Sequence, residues 1–388
     1  MGLWFSRFFN YYLEDFTDGR GYTGPNQAFQ LISFLIYATS FFYAMKHYSY
    51  IKKMLFINPY PLLIVILCVA SFIWSVDPAV SLRRALAAIG MMFVGLTTVV
   101  IVSGISDDRP VYLGFLVGML VSIFVILVFP NIGIDSGQLV QSHAGLWQGV
   151  YGFKNALGQV MSILAIFLVV KVRNIFSGML FMVTLLMIIK TQSTSSIFSL
   201  LFAVSFYFLI KIYKMNYKIL FINFLMFFLV FLFMLSYNLD YIVYDVLKKD
   251  FSGSGRVDIW SQILNASSDR FLGYGYGGVF WGEYSSAYKY MEEFYINLGH
   301  SHNGFVDAKL EFGWIGLYLY ILCLLVPIYK HIKNLESSDC ILETKLVLLL
   351  FILFYSISGS GFMRANTLLF YMYFYASFHD YKLRRWLV

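Results

Sequence analysis

The chain has 388 residues, of which 60% are hydrophobic, 20% aromatic and only 13% charged. A soluble protein of this size carries roughly 25% charged residues, so a water-soluble globule is excluded. The formal net charge of +7 resides in short segments between apolar runs, which reads as a topology signal and not as a nucleic-acid surface.

The first segment, MGLWFSRFFNYYLEDF, is short, aromatic and broken by Arg7, Glu14 and Asp15. It fits an interfacial stub better than a cleavable signal peptide or a span. Apolar runs then follow at 28–45, 58–74, 86–103, 111–129, 155–170, 176–189, 195–210, 218–236, 312–329, 346–360 and 366–379. Each is near the length of helix that crosses a bilayer, about 20 residues, and too long for a barrel strand. The expected fold is an all-α integral membrane protein with about 11–12 transmembrane helices. Its expected parts are an N-terminal bundle (1–236), one large outer loop (237–311) and C-terminal helices (312–388). Cys68, Cys323 and Cys340 show no pairing by spacing, so neither a disulfide framework nor a metal site is expected.

Lysine and arginine alternate between the loops. Lys46, Lys52 and Lys53, then Lys171 and Arg173, Lys211, Lys214 and Lys218, Lys330 and Lys333, and Lys382, Arg384 and Arg385 all fall on one side. The positive-inside rule places that side in the cytoplasm and the long loop 237–311 outside. Long loops without structure of their own are usually functional. No internal repeat is visible, which counts against an inverted-repeat transporter.

Cations on the outer side run against this rule and are candidates for ligand binding. They are Arg83 and Arg84 in SVDPAVSLRRAL, Lys154 in YGFKNALG, Arg256 in SGSGRVDIW, Arg270, Lys289, Lys309, and Arg364 in GSGFMRAN. A snorkelling side chain at a helix end is the alternative for any one of them. As a set, they suit an anion such as a lipid-linked diphosphate, which guanidinium binds as a fork. In FKNALG, Asn155 is a candidate helix cap and Gly158 a point of close approach. GYGYGG matches G-x-G-x-x-G formally, but no strand–helix unit surrounds it, so a dinucleotide site is rejected. A tight loop with aromatic walls, facing sugars or the membrane interface, is expected instead.

The stretch GHSHNGFVDAKLEFGWIGL, 299–317, packs two histidines, an asparagine, an aspartate, a lysine and a glutamate into one short span. A helix starting near Asn303 puts Asn303, Asp307 and Glu311 on one face. Gly313 and Gly316 allow close packing. His302 falls just before the helix, and an imidazole with a pKa near ~6.5 suits proton transfer. His300 reads as a surface histidine.

This stretch resembles the C-terminal signature of the O-antigen ligase/polymerase superfamily: His302 and Asn303, then Glu311, Gly313, Gly316 and Leu317. Upstream, Gly255 and Arg256, Trp260, and Gly273, Gly275 and Gly277 are similar to the same family, as are SFIWSVDPAVSLRRAL and YGFKNALGQ. The resemblance implies a membrane glycosyltransferase of the GT-C type at the periplasmic face of a bacterial inner membrane. It implies an undecaprenyl-diphosphate-linked glycan donor, a glycan or lipid-linked acceptor, inversion at the anomeric carbon, and neither metal nor cofactor. In that scheme His302 is the general base and Arg256 stabilises the leaving diphosphate with Arg83, Arg84, Lys154 and Arg364. A polymerase is the favoured branch, with a chain-length regulator as a further partner. A ligase acting on lipid A-core is the alternative, and a lipid-linked sugar transporter is the reading from another class.

Overall fold

A computed structural model describes residues 27–137, 141–171, 174–214, 260, 263–264, 267, 270–282, 300–335, 339–359, 361–364 and 367–379. The run 218–236 and the residues Gly255, Arg256 and Lys289 lie outside the described residues. Eleven helices of ten or more residues are described: α1 Gln27–Lys46, α2 Tyr48–Ile57, α3 Tyr60–Ala70, α4 Pro78–Ile105, α5 Arg109–Val128, α6 Lys154–Lys171, α7 Ile175–Thr191, α8 Thr194–Lys214, α9 Gly304–Asn334, α10 Cys340–Ser358 and α11 Leu368–Ser377. Six of them (α4, α5, α6, α8, α9 and α10) are long and apolar enough to cross a membrane. The protein is therefore an all-α, multi-pass membrane protein.

Local sequence sets the helix ends. Asp77 accepts the Val80 N–H at 3.1 Å, with Pro78 as the first residue of α4, a pairing that satisfies one free amide and places proline where no N–H is needed. Asn174 and Ser177 form a reciprocal capping box at α7. Asp339 caps α10 through Leu342 N–H at 3.0 Å. The helix predicted from 346 begins at Cys340, because this cap precedes the apolar run and carries Glu343 and Lys345 into the helix.

One helix was not expected. Residues 46–57 read as a cytoplasmic loop because Lys52 and Lys53 interrupt the apolar run. They form α2, which buries Tyr50, Ile51 and Met54 while Lys52 stays exposed. An amphipathic helix of this kind is invisible to an apolar-run criterion. It meets the following helical segment at 94°.

Helix α10 is the hub, with 72% of its apolar window buried. It packs against α6, α8, α9 and α11, while α4 packs against α1, α3 and α11. The loops sort to two ends. At one end lie the starts of α4, α6, α8, α9 and α11; Ser195 Oγ donates to Ser358 O at 2.7 Å there, and Gly304 lies against Gly361.

The opposite end holds buried ion pairs and polar clamps. Lys171 pairs with Asp108, and Glu343 accepts from Tyr207 Oη at 2.6 Å and pairs with Lys211 at 3.1 Å. Three successive carbonyls ending α11 take side chains from three other segments. Ala376 O meets His331 Nε2 at 2.8 Å, Ser377 O meets Asn58 Nδ2 at 3.1 Å, and Phe378 O meets Lys345 Nζ at 2.7 Å. The last carbonyls of a helix have no partner within it, and in the absence of water only side chains can satisfy them. Lys345 is 1% exposed, and its ammonium also lies 4.7 Å from the Tyr375 ring centre. Lys345→Ala is expected to cost about 2–4 kcal/mol through the orphaned carbonyl and the cavity, with Lys345→Met costing less. Thermal melts in detergent measure both.

Candidate active site

Helix α9 starts as its sequence dictates. Asn303 is in extended backbone, and its Oδ1 accepts Phe305 N–H at 3.0 Å and Val306 N–H at 3.3 Å. Asn303, Asp307 and Glu311 follow at the expected spacing. His302 precedes the cap at φ +57°, a left-handed conformation uncommon outside glycine. Its backbone N–H donates to His300 Nδ1 at 3.1 Å, and the two rings lie 4.0 Å apart, edge to face. His300, read as a surface residue, is thus part of the turn that carries His302.

The helix breaks at Gly313, whose φ of 66° and ψ of −153° are reached essentially only by glycine. The break gives the Gly-rich loop its seat. Tyr274 N–H donates to Leu310 O at 2.8 Å and Gly275 N–H to Glu311 O at 2.9 Å. Gly277 and Gly278 N–H both donate to Glu311 Oε1, at 3.1 and 2.7 Å. Glu311 is 7% exposed, and its carboxylate replaces lost water with two amides. Gly273, Gly275, Gly277 and Gly278 all have positive φ, so the loop curls tightly round the first turns of α9.

The loop also reaches the start of α4. Tyr274 O accepts Val76 N–H at 2.9 Å, and Tyr276 O accepts Ser81 Oγ at 2.8 Å. Gly277 lies against the Arg84 stem, where any side chain would overlap it. Tyr276 Oη donates to Met363 O at 2.6 Å, so the loop is tied to the α10–α11 connection as well. The loop aromatics differ from expectation. Tyr274, Tyr276 and Phe280 are 4%, 0% and 1% exposed, so they form a core beneath the loop and face neither sugar nor membrane. Tyr276 stacks on Phe312 at 5.7 Å.

Two of the predicted cations converge on Glu311. Arg84 and Arg364 lie within electrostatic reach of it, and Arg364 also of Asp307. Both are half-buried. Arg83, the next residue round α4, is exposed, and among the described residues no hydrogen bond or ion pair is recorded between it and this cluster. Lys154 is the first residue of α6, at the same end of the bundle but beside the α7–α8 corner. Asn155 does not cap that helix: Leu157 N–H bonds to Phe153 O at 3.2 Å, which puts the cap at Phe153 and leaves Asn155 exposed inside the first turn. Gly158 makes room for the side chains of Thr191, Ser193 and Ser196 in place of another backbone. Gly316 packs against Phe312 and the Ala308 carbonyl, close packing within its own helix. Lys309 lies 4.6 Å from the Trp314 ring centre, away from Glu311.

Sequence reasoning missed Ser75, Ser81 and Ser301 as site supports. Ser75 and Ser81 share a 2.7 Å hydrogen bond and sit under Gly275 and Tyr276. Their only signal was proximity to Arg83 and Arg84.

The fold and this site define a multi-pass helical membrane protein with a histidine-bearing turn, a buried glutamate and two half-buried arginines at one end of its bundle. Residues 178–321 match the O-antigen ligase family, a stretch running from α7 through the Gly-rich loop to Glu311, Gly313 and Gly316. The chain is 35% identical over 95 residues to the exopolysaccharide production protein ExoQ of Rhizobium meliloti, covering 24% of this chain and 22% of that one. It is 31% identical over 98 residues to an uncharacterized protein of Haemophilus influenzae, 24% of each chain. The chain thus covers under a quarter of the length of either relative. It resembles the O-antigen ligase/polymerase superfamily over the Gly-rich loop and the first turns of α9, while Arg84 and Arg364 lie outside the matched residues.

Proposed function

We propose that this protein is a glycosyltransferase that polymerises oligosaccharide repeats carried on undecaprenyl diphosphate, at the periplasmic face of a bacterial inner membrane. The observation that carries the reading is the start of α9, which bears His302 and Glu311 inside the stretch that matches the O-antigen ligase family, with Arg84 of α4 packed on the Gly-rich loop that Glu311 holds and Arg364 contributed by the α10–α11 connection. In the reaction, an acceptor hydroxyl oxygen attacks the anomeric carbon of the donor glycan. The bond from that carbon to the diphosphate oxygen breaks, its electron pair leaves with the diphosphate, and the hydroxyl proton passes to the His302 imidazole. Inversion follows from attack opposite the leaving group.

Arg84, Arg364 and Arg256 hold the diphosphate and meet its growing charge, with Arg83 and Lys154 at the mouth. Fixed charges aimed at the leaving group are often the largest catalytic contribution. Glu311 holds the Gly-rich loop through the Gly277 and Gly278 amides. Nothing in this scheme routes a step through a metal. The opposite end of the bundle, with its lysines, faces the cytoplasm by the positive-inside rule. A chain-length regulator is a further partner in this reading.

A ligase is the second reading, favoured by the name of the matching family; ExoQ, named for exopolysaccharide production, favours the polymerase. The glycan profile of a strain lacking the gene, with and without the wild-type gene restored, separates them. Single repeats that become a ladder on complementation support the polymerase. Bare core with long chains stranded on the carrier supports the ligase. A ladder unchanged by deletion overturns both and returns the transporter.

A further inference from the structure

The left-handed backbone at His302 costs a non-glycine residue roughly 1–2 kcal/mol, so its surroundings must impose it. What imposes it is the peptide before it. Ser301 is 1% exposed and every polar group it has is used. Its N–H donates to Asp307 Oδ1 at 2.9 Å, and its carbonyl accepts Trp260 Nε1 at 2.7 Å. Its hydroxyl donates to Asn303 O at 2.8 Å and accepts Asn303 N–H at 3.1 Å. The Asn303 bonds stay within the turn. Among the described residues, Asp307 and Trp260 are what tie it beyond the turn, and they grip the same residue from its two sides.

Asp307 is the acidic member of this grip. Its second oxygen, Oδ2, is buried and meets no hydrogen-bond donor among the described residues, with Arg364 the nearby positive charge that offsets it. A buried carboxylate oxygen left unpaired is costly. A side chain kept at that cost, with its other oxygen on the peptide preceding His302, fits a role in aiming the imidazole. A carboxylate also makes the stronger, charge-assisted bond to an N–H, and unlike an amide it has no wrong way round.

We infer that Asp307 is the positioning residue of His302: it holds Ser301 by its N–H while Trp260 holds it by its carbonyl, and so fixes where the imidazole points. The inference rests on the proposed role of His302 as base. Displacing a reacting group by about 1 Å can cost on the order of 10²-fold in rate, which sets the scale.

The test uses the full-length protein in membranes with a lipid-linked repeat as donor and acceptor. Asp307→Ala is expected to lower kcat about 10–100-fold with donor KM within about threefold, and to leave the pH at which the rate rises unchanged. Asp307→Asn, which keeps an acceptor for Ser301, is expected to retain at least about a third of wild-type kcat. Trp260→Phe, which frees the other side of the peptide, is expected to fall between them. An Asp307→Asn variant as impaired as Asp307→Ala, or one whose acid limb disappears, overturns the inference by making the carboxylate itself the proton acceptor. If Asp307→Ala does not fold, the Asp307→Asn result alone decides. Amide hydrogen exchange across 300–303 is read in parallel, faster in Asp307→Ala and as wild type in Asp307→Asn. This signal does not need turnover: unchanged exchange in Asp307→Ala overturns the clamp, while the expected exchange with no transfer by the wild type overturns only the proposed reaction.

Discussion

Replacing His302 by alanine is expected to lower glycan transfer by about 10²–10⁴-fold, the usual contribution of a positioned general base, while the protein still reaches the membrane. The reason lies in what the side chain does and does not hold. The bonds that cap α9 belong to Asn303, and the bonds that fix the turn belong to Ser301, Asp307 and Trp260. The His302 backbone N–H bonds to His300 Nδ1, which survives substitution, while the edge-to-face contact of its ring with His300 is lost. Alanine pays a backbone penalty at φ +57°, so His302→Asn serves as the companion variant, since asparagine enters the left-handed region more readily. Asparagine has no basic nitrogen, so it is expected to be as inactive as alanine and closer to wild type in stability. Transfer assays in membranes, with the amount of folded protein measured by detergent gel filtration, check both. Activity within threefold of wild type in His302→Asn would remove His302 from the chemistry.

The second large effect is on the fold of the site. Gly313→Ala is expected to destabilise the protein by roughly 3 kcal/mol or more, from a backbone conformation closed to alanine and from overlap with the Phe271 carbonyl. The consequence extends beyond one residue. The Gly313 break is what turns the Leu310 and Glu311 carbonyls toward Tyr274 and Gly275, so a continuous helix there would expel the Gly-rich loop. Arg84, packed on Gly277, would lose its place beside Glu311. Yield of monodisperse protein and the melting temperature are the measurements. Gly114→Ala is the control: it sits in α5 with open space where the methyl group goes, and is expected to be neutral or slightly stabilising. Equal behaviour of the two variants would show that the break at Gly313 is dispensable.

Much of the helical framework was legible because membrane spans advertise themselves. An apolar run of sufficient length must become a helix in lipid, where no other backbone arrangement satisfies its amides. Ten of the eleven predicted runs fall on described helices. The failures were at polar edges. Helix α2 was lost because two lysines broke the run, α4 was started eight residues late because Arg83 and Arg84 looked like loop, and α10 six residues late because Glu343 and Lys345 did. These errors come from equating charge with solvent, whereas Lys345 is buried against a carbonyl and an aromatic ring.

At the site, the start of α9 was determined by the sequence alone. Asn303 as cap, the shared face of Asp307 and Glu311, and the place of His302 before them follow from helical periodicity and capping chemistry, which act within a few residues. Tertiary structure decided which distant groups meet there. Arg84 and not Arg83 faces Glu311, because neighbours on a helix point about 100° apart and the packing of α4 against the Gly-rich loop chooses one. Arg364 arrives from beyond α10 through the approach of Gly304 to Gly361. The partner of Glu311 is neither of these cations by direct bond but a pair of amides from a loop 33 and 34 residues away. Such contacts depend on how segments at 75–84, 270–282, 300–313 and 361–364 close on one another, and no local signal in any one of them encodes that.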